Sequence, residues 1–315
     1  MSIPCFTPPY FETTTPEWKQ YLDLNGYVVL QNILEQPAID TAYDLFWKDW
    51  NSVSPGFLRD DPSSWSIHTA PMMFAKGIAV FNGFGQSDFM WHLRLQPKIL
   101  DIFSQVHNTP HADLISSFDG FSVFFTKKQK NPKAWWHIDQ HPSNINYSIQ
   151  GAYNFLPVTE ETAGLTVVPQ SHTTFVPSET RSIEDWIPLE RNKTPEEARP
   201  ILANGVKLLL PANSFVLWNS RTIHANIGQQ RDTQRLTRLT AYITYVPRSR
   251  TTPEITAQRR QAYLDAVSTS HWPDKLEPKA YQWGFGPRYE ARGFGKIKPR
   301  LNVDGSIPTD RLVHI

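Results

Sequence analysis

Between Phe118 and Val246 the chain divides into a succession of short β-rich segments, and that succession narrows its fold more than any other feature. The first is Phe118-Asp119-Gly120-Phe121-Ser122-Val123-Phe124-Phe125. It is followed by Ser148–Leu156, Gly164–Val168, Val206–Leu210, Ser214–Trp218 and Leu236–Val246. Each segment is rich in β-branched or aromatic residues and bounded by turn formers. Roughly six to eight short strands at this spacing suggest a sandwich or jelly roll. The 26 prolines suit such a loop-rich fold better than a helical bundle.

The flanks read differently. Pro16-Glu17-Trp18-Lys19 opens a helix that should stop at Gly26, and Tyr27-Val28-Val29-Leu30 follows as a strand. Ile39, Ala42, Tyr43, Phe46 and Trp50 repeat at helical spacing across Pro37–Trp50. Two more helices are expected over Ser87–Leu95 and Pro97–His107, Pro97 suiting the first position of the second. Residues 178–200 carry charges and prolines with little β signal and read as an insertion between strands. Residues 253–268 look helical, followed by an aromatic, Gly- and Pro-rich tail that includes Ser270-His271-Trp272-Pro273 and Trp283-Gly284-Phe285-Gly286-Pro287. With no linker in view, the expectation is one domain over 1–315. It would comprise a mainly helical part (1–117), a β core (118–250) and a helix with an irregular tail (251–315), mainly β overall with flanking helices.

Composition removes several function classes. A formal net charge of +1 gives no field that would recruit nucleic acid or an anionic membrane. Arg288, Arg292, Lys296, Lys298 and Arg300 read as a solvated face. Cys5 is the sole cysteine, which excludes an intramolecular disulfide and a thiolate metal site. No apolar run approaches the roughly 18 residues of a membrane span. With no signal-peptide core and no peroxisomal Ser-Lys-Leu ending, the expected location is cytoplasmic.

Within the β core, Trp135-Trp136-His137-Ile138-Asp139-Gln140 carries chemistry. Residues i and i+2 of a strand share a face, so His137 and Asp139 can converge on one ion, with His224, 87 positions later (224 − 137), as third ligand. Two imidazoles and a carboxylate form the facial triad of non-haem Fe(II) oxygenases. His224 is expected near the start of a strand on the opposing sheet. His141 is the rival ligand on the same face, but Pro142 should end the strand there. His172 reads as a loop-closing residue, and Trp135, Trp136 and Trp218 as flanking the metal.

Four motifs in order resemble the phytanoyl-CoA dioxygenase family. Trp136-His137-Ile138-Asp139-Gln140 matches its Trp-His-x-Asp motif. Gly164-Leu165-Thr166-Val167-Val168-Pro169-Gln170-Ser171-His172 is similar to its Gly-x5-Pro-Gly-Ser-His segment, with Gln170 in place of glycine. Pro211-Ala212-Asn213-Ser214 with the following strand and His224 resembles its Pro-Gly-Asp turn and distal histidine. Arg238 to Tyr245-Val246-Pro247 has its arginine-to-Tyr-x-Pro spacing. The resemblance covers roughly residues 20–250 and implies a double-stranded β-helix (jelly roll, cupin-like) that uses Fe(II), 2-oxoglutarate and O₂.

2-Oxoglutarate needs a cation for its distal carboxylate, and arginine binds carboxylate bidentately. Arg238 fits the distance to Tyr245 and Pro247, whereas Arg235 fits the family's usual distance from the distal histidine. Strand residues three apart face opposite sides, so one of the two points inward, and Arg238 is preferred. Its extra distance from His224 would be a longer turn around Gln229–Thr233. Thr240 shares the face of Arg238, and by resemblance Asn226 touches the co-substrate. Asp119, Lys127, Lys128, Asn219 and Arg221 are within reach of the mouth, unranked.

The expected function is thus an Fe(II)- and 2-oxoglutarate-dependent dioxygenase that hydroxylates a small molecule and releases succinate and CO₂. Phytanoyl-CoA itself is disfavoured, because no basic cradle for CoA phosphates lies near the motifs. A protein or peptide side-chain hydroxylase and a non-catalytic jelly-roll binding protein are the alternatives. Oligomeric state is unreadable from the sequence.

Overall fold

The computed structural model describes residues 3–73, 77–125, 134–178, 186–229, 235–275 and 294–315. Lys127, Lys128, Trp283–Pro287, Arg288, Arg292 and most of the turn after Gln229 lie outside the described residues.

Among these, two sheets face each other. The first has the order β1 (Cys5–Phe6), β11 (Val206–Leu208), β9 (Gly164–Val167), β13 (His224–Ile227), β7 (His137–Ile138), β10 (Ile187–Pro188). The second has the order β2 (Tyr10–Phe11), β3 (Tyr27–Leu30), β12 (Ser214–Asn219), β8 (Ile149–Asn154), β14 (Arg238–Ile243), β6 (Phe121–Phe124), β4 (Ile78–Ala79). From β6 to β9 successive strands alternate between the sheets, and β11 to β14 alternate again, which is the winding of a double-stranded β-helix. A separate pair joins β5 (Leu114–Ser116) to β15 (Tyr245–Pro247).

The period-2 pattern explains why the second sheet is covered. Tyr27, Val29, Val216, Trp218, Ala152 and Tyr242 turn inward and meet Leu165, Val167 and Leu208 of the first sheet. Their neighbours Val28, Leu30, Phe215, Leu217, Tyr153, Leu239, Ala241 and Ile243 face the other way. There they pack against helices α1 (Glu17–Asn25), α2 (Gln36–Val53), α3 (Asp88–Arg94) and α4 (Pro97–His107). Both faces of this sheet therefore carry apolar sets, and the helices keep the outer one from water. Gly26, at φ 77°, ends α1 in the left-handed region that glycine adopts without cost.

Three expectations change. The part before residue 118 is not simply helical: β3 pairs antiparallel with β12, and β4 with β6, so it extends the core sheet. The Leu236–Val246 segment is two strands, because the chain leaves the second sheet at Thr244 and β15 turns to β5. Within 178–200, Ile187–Pro188 pairs with β7, and α6 (Leu189–Asn192) and α7 (Pro195–Leu202) follow, α7 opened by a capping box of Thr194 and Glu197.

After α8 (Pro253–Leu264) the tail is anchored to the core. Arg259 is buried and donates to the carbonyls of Ile315 (2.7 Å), Pro273 (2.8 Å) and Ser116 (2.6 Å), its guanidinium 4.5 Å from the Phe118 ring. Lys296, Lys298 and Arg300 are exposed, as a solvated face requires. Among the described residues no helix is long and apolar enough to cross a membrane.

At the end of α4, burial and the nearby positive charge of Arg250 push the His107 imidazole down to about 4. The folded state keeps it neutral while the unfolded chain binds a proton below the usual histidine value, so stability rises with pH across that window. The melting temperature is expected to fall as pH drops from about 6.5 towards 4, and to fall less in His107→Asn. Equal slopes for both proteins in a differential scanning experiment would contradict the assignment.

Candidate metal centre

The rung where β13 meets β7 builds the site. His224 is the antiparallel partner of His137, and their rings lie side by side with centroids 4.3 Å apart. The sequence reading put His224 on the opposing sheet; it stands instead on the neighbouring strand of the same sheet. Strand β7 stops at Ile138, and Asp139 sits in the bend just beyond, held by its N–H to the Ser220 carbonyl (2.8 Å). One ligand atom from each of His137, Asp139 and His224 lies within 4.8 Å of the others, and all three residues are buried.

Backbone carbonyls set both tautomers. The Nδ1 of His137 donates to Trp135 O (2.8 Å) and that of His224 to Thr222 O (2.9 Å). Both Nε2 atoms then point at the Asp139 carboxylate, at 3.5 Å from Oδ1 and 3.3 Å from Oδ2. Burial, then the adjacent His224, pushes His137 down to about 4, so its Nε2 is an unprotonated lone pair. For Asp139, burial raises the pKa but His224 and His137 outweigh it, and the carboxyl lies well below its ordinary range. Asp139 Oδ2 is buried beside these nitrogens with no hydrogen-bond partner. A cation among the three would satisfy it, and neutral imidazole with ionised carboxylate is the donor state that divalent iron takes.

Other side chains hold this arrangement. Gln140 Oε1 accepts from Ser148 N (2.6 Å) and Ser220 Oγ (2.7 Å), tying the Asp139 bend to the start of β8. Trp135 stacks on His137 (centroids 4.0 Å, interplanar 16°), and Trp218 lies 5.5 Å from the His224 ring. Trp136 does not flank the triad; it turns to the far side of the first sheet, among Ile187, Leu189 and Leu202. His141 stays outside the cluster, its Nδ1 2.6 Å from Ser143 Oγ. His172 closes a loop, bonding Asp23 O at 2.9 Å.

Deeper inside, β14 begins with Arg238, fully enclosed, whereas Arg235 is exposed. Arg238 Nη2 donates to Asn226 Oδ1 (2.7 Å) and Nε to Thr240 Oγ1 (3.2 Å), while Nη1 is buried with no partner. Thr240 in turn donates to Asn154 Oδ1 (3.0 Å), and Asn226 Nδ2 to Tyr242 OH (3.3 Å). Two neutral partners orient a cation that has one donor edge left over, a geometry suited to an incoming carboxylate. Arg221 and Asn219 do not line this space: Arg221 lies over the Tyr147 ring at 4.4 Å, and Asn219 Oδ1 accepts Arg221 N (3.0 Å).

Sequence reasoning missed three neighbours. Tyr242 differs from Arg238 and Thr240 only in chain position on the same inward face, so the period-2 rule would have found it. Gln150 stands opposite Trp218 on β8, and both its amide atoms are buried without a partner. Trp186, with its ring 5.8 Å from His137, comes from the 178–200 segment, where no periodicity marked it.

The family model for phytanoyl-CoA dioxygenase (PhyH) matches residues 22–228. "Ava biosynthesis cluster protein O" of Aspergillus versicolor is 23% identical over 273 residues, covering 82% of this chain and 86% of that protein. The GlcNAc Inducible Gene 2 protein (DUF1479) of Candida albicans superposes with a TM-score of 0.60 at 11% identity, over 98% of this chain and 79% of the other. The epimerase SnoN, solved with Fe³⁺, α-ketoglutarate and nogalamycin RO, superposes with a TM-score of 0.48 at 19% identity, over 74% of this chain and 85% of the other.

Because Gln140 acts by fixing the Asp139 bend, Gln140→Ala should keep the fold but weaken Fe(II) binding by about 10- to 100-fold. An anaerobic titration checks this, and unchanged affinity would show that the bend holds its place unaided.

Proposed function

The chain belongs to the phytanoyl-CoA dioxygenase family of Fe(II)- and 2-oxoglutarate-dependent oxygenases, and from that premise we propose that it oxidises a small organic molecule, by hydroxylation, at the His137–Asp139–His224 centre. The observation that carries the reading is the pairing of two unsatisfied buried groups, the Asp139 carboxylate oxygen set beside two imidazole Nε2 atoms and the spare Nη1 of Arg238. One asks for a cation and the other for a carboxylate.

In this reading His137, Asp139 and His224 hold Fe(II), and Arg238 takes the distal carboxylate of 2-oxoglutarate with Asn226 and Thr240 keeping its plane. Iron and the 2-oxo acid, once held there, would supply the activation of O₂, coupled to decarboxylation of the co-substrate to succinate and CO₂ and to transfer of oxygen to a C–H bond. The protein's own part is positional and electrostatic. The carbonyls of Trp135 and Thr222 lock both imidazoles with Nε2 inward. Trp135 and Trp218 cover them and keep water from their faces. Arg238, hydrogen-bonded only to neutral groups, reserves its charge for the co-substrate. Gln150 offers an incoming molecule one donor and one acceptor.

A small-molecule substrate is favoured by the relative from a biosynthesis cluster and by Trp186, which approaches the His137 ring and narrows access for a polypeptide. Succinate release in the presence of Fe(II), 2-oxoglutarate and O₂ tests the reading, with a small-molecule library set against a peptide digest. Asp139→Ala should release none, and Arg238→Ala should lose most of its rate through a raised KM for 2-oxoglutarate, while Arg235→Ala matches wild type. Turnover retained in Asp139→Ala would overturn the triad; stimulation by peptides alone would overturn the substrate class.

A further inference from the structure

The family match ends at residue 228, yet a side chain from residues 265–275 reaches the co-substrate network. His271 sets its Nδ1 against Asp119 Oδ2, an ion pair whenever the imidazole is protonated. Asp119 is 2% exposed, and its other oxygen accepts Gly120 N at 2.9 Å. The His271 ring meets the inward-facing Tyr242 edge-on, with centroids 6.0 Å apart. Tyr242 OH receives Asn226 Nδ2, and the same Asn226 holds Arg238 through Oδ1. A continuous path of contacts thus joins the C-terminal segment to the guanidinium in the barrel.

That segment is rigidly placed. Thr269 N donates to Phe118 O (2.9 Å), Phe118 N to Thr269 Oγ1 (3.2 Å), and Gly85 N to Ser268 Oγ (2.9 Å). Gly85 passes so close that a Cβ there would lie 2.2 Å from Phe118 O. Arg259 grips the far side through Pro273 O. His271 is therefore held at Asp119 by backbone docking on both sides.

The electrostatic consequence follows from the charge of the co-substrate. 2-Oxoglutarate is a dianion, and Asp139 is neutralised by the metal it would hold. Asp119 is a second buried carboxylate close enough to act on Tyr242, with His271 set against it. An unpaired buried charge acts over several ångströms in a low-dielectric interior and repels like charge.

We propose that His271 is a positioning residue for 2-oxoglutarate: by compensating Asp119 and bracing Tyr242, the C-terminal segment makes the Arg238 seat fit to accept a dianion. The inference rests on the oxygenase reading above, and it makes the segment beyond the family match a working part of the co-substrate site.

The test is calorimetric titration of anaerobic Fe(II)-loaded full-length protein with 2-oxoglutarate. His271→Ala should raise the Kd by about tenfold, because Asp119 loses one of its countercharges and keeps the buried Arg94. Asp119→Asn/His271→Ala should recover most of that loss, since the charge that needed compensation is gone. A role confined to packing would leave the double variant no better than the single one. His271→Gln, which keeps a donor to Asp119, serves if the alanine variant fails to fold, with an intermediate Kd expected and melting temperatures confirming the folded state. Wild-type affinity in a folded His271 variant, or no recovery in the double variant, would overturn the inference alone. A wild type that binds iron but never 2-oxoglutarate would bring down the oxygenase reading as well.

Discussion

One antiparallel rung, His224 opposite His137, is the constraint on which the rest of the structure depends. Cross-strand partners stand about 4.5–5.5 Å apart at Cα, so two imidazoles placed there are close neighbours without any further device. The rung needs both strands in register, and β13 gets its register from four pairs with β9, Val167 to Gly164. Strand β7, only two residues long, has little pairing of its own beyond His224 and β10. The metal centre therefore depends on the first sheet being correctly laid down, and the short strand it most needs is held in part by the ligands' own rung.

The second sheet serves a different purpose. Its inward positions carry both the apolar filling of the barrel and, on β14, the polar series Arg238, Thr240 and Tyr242. A cation at the first of these is tolerable because two neutral acceptors hold it and a carboxylate can complete it. Its outward positions are apolar throughout and tie down the helices. The sheet could not shift by one residue without exposing the helix-facing set and turning Arg238 out of the barrel. Fold stability and co-substrate recognition are thus set by the same register.

Much of this was legible in the chain. Period-2 spacing allowed only one of Arg238 and Arg235 to point inward, the distance to Tyr245 and Pro247 favoured Arg238, and the Trp-His-x-Asp motif with His224 marked the candidate centre, because side-chain direction in a strand is a local property. Pro97, Gly26 and Ser87 marked helix ends for the same reason. What stayed hidden was non-local. Spacing gives the face of a strand but not its sheet, so the His224–His137 rung was read across two sheets. Ile187–Pro188 is too short to carry a period, and Trp136 differs from Trp135 only in which side of the first sheet it meets. Asp119 and His271 lie 152 positions apart (271 − 119), and nothing in either local sequence announces the other.

The central claim, that three buried side chains and one buried arginine form a single iron and 2-oxo acid site, is tested most directly by the visible spectrum of the anaerobic protein. Fe(II) and 2-oxoglutarate added together should give the charge-transfer absorption of an iron-bound 2-oxo acid, which neither addition gives alone. Iron bound at His137, Asp139 and His224 without that absorption at saturating 2-oxoglutarate would contradict the account.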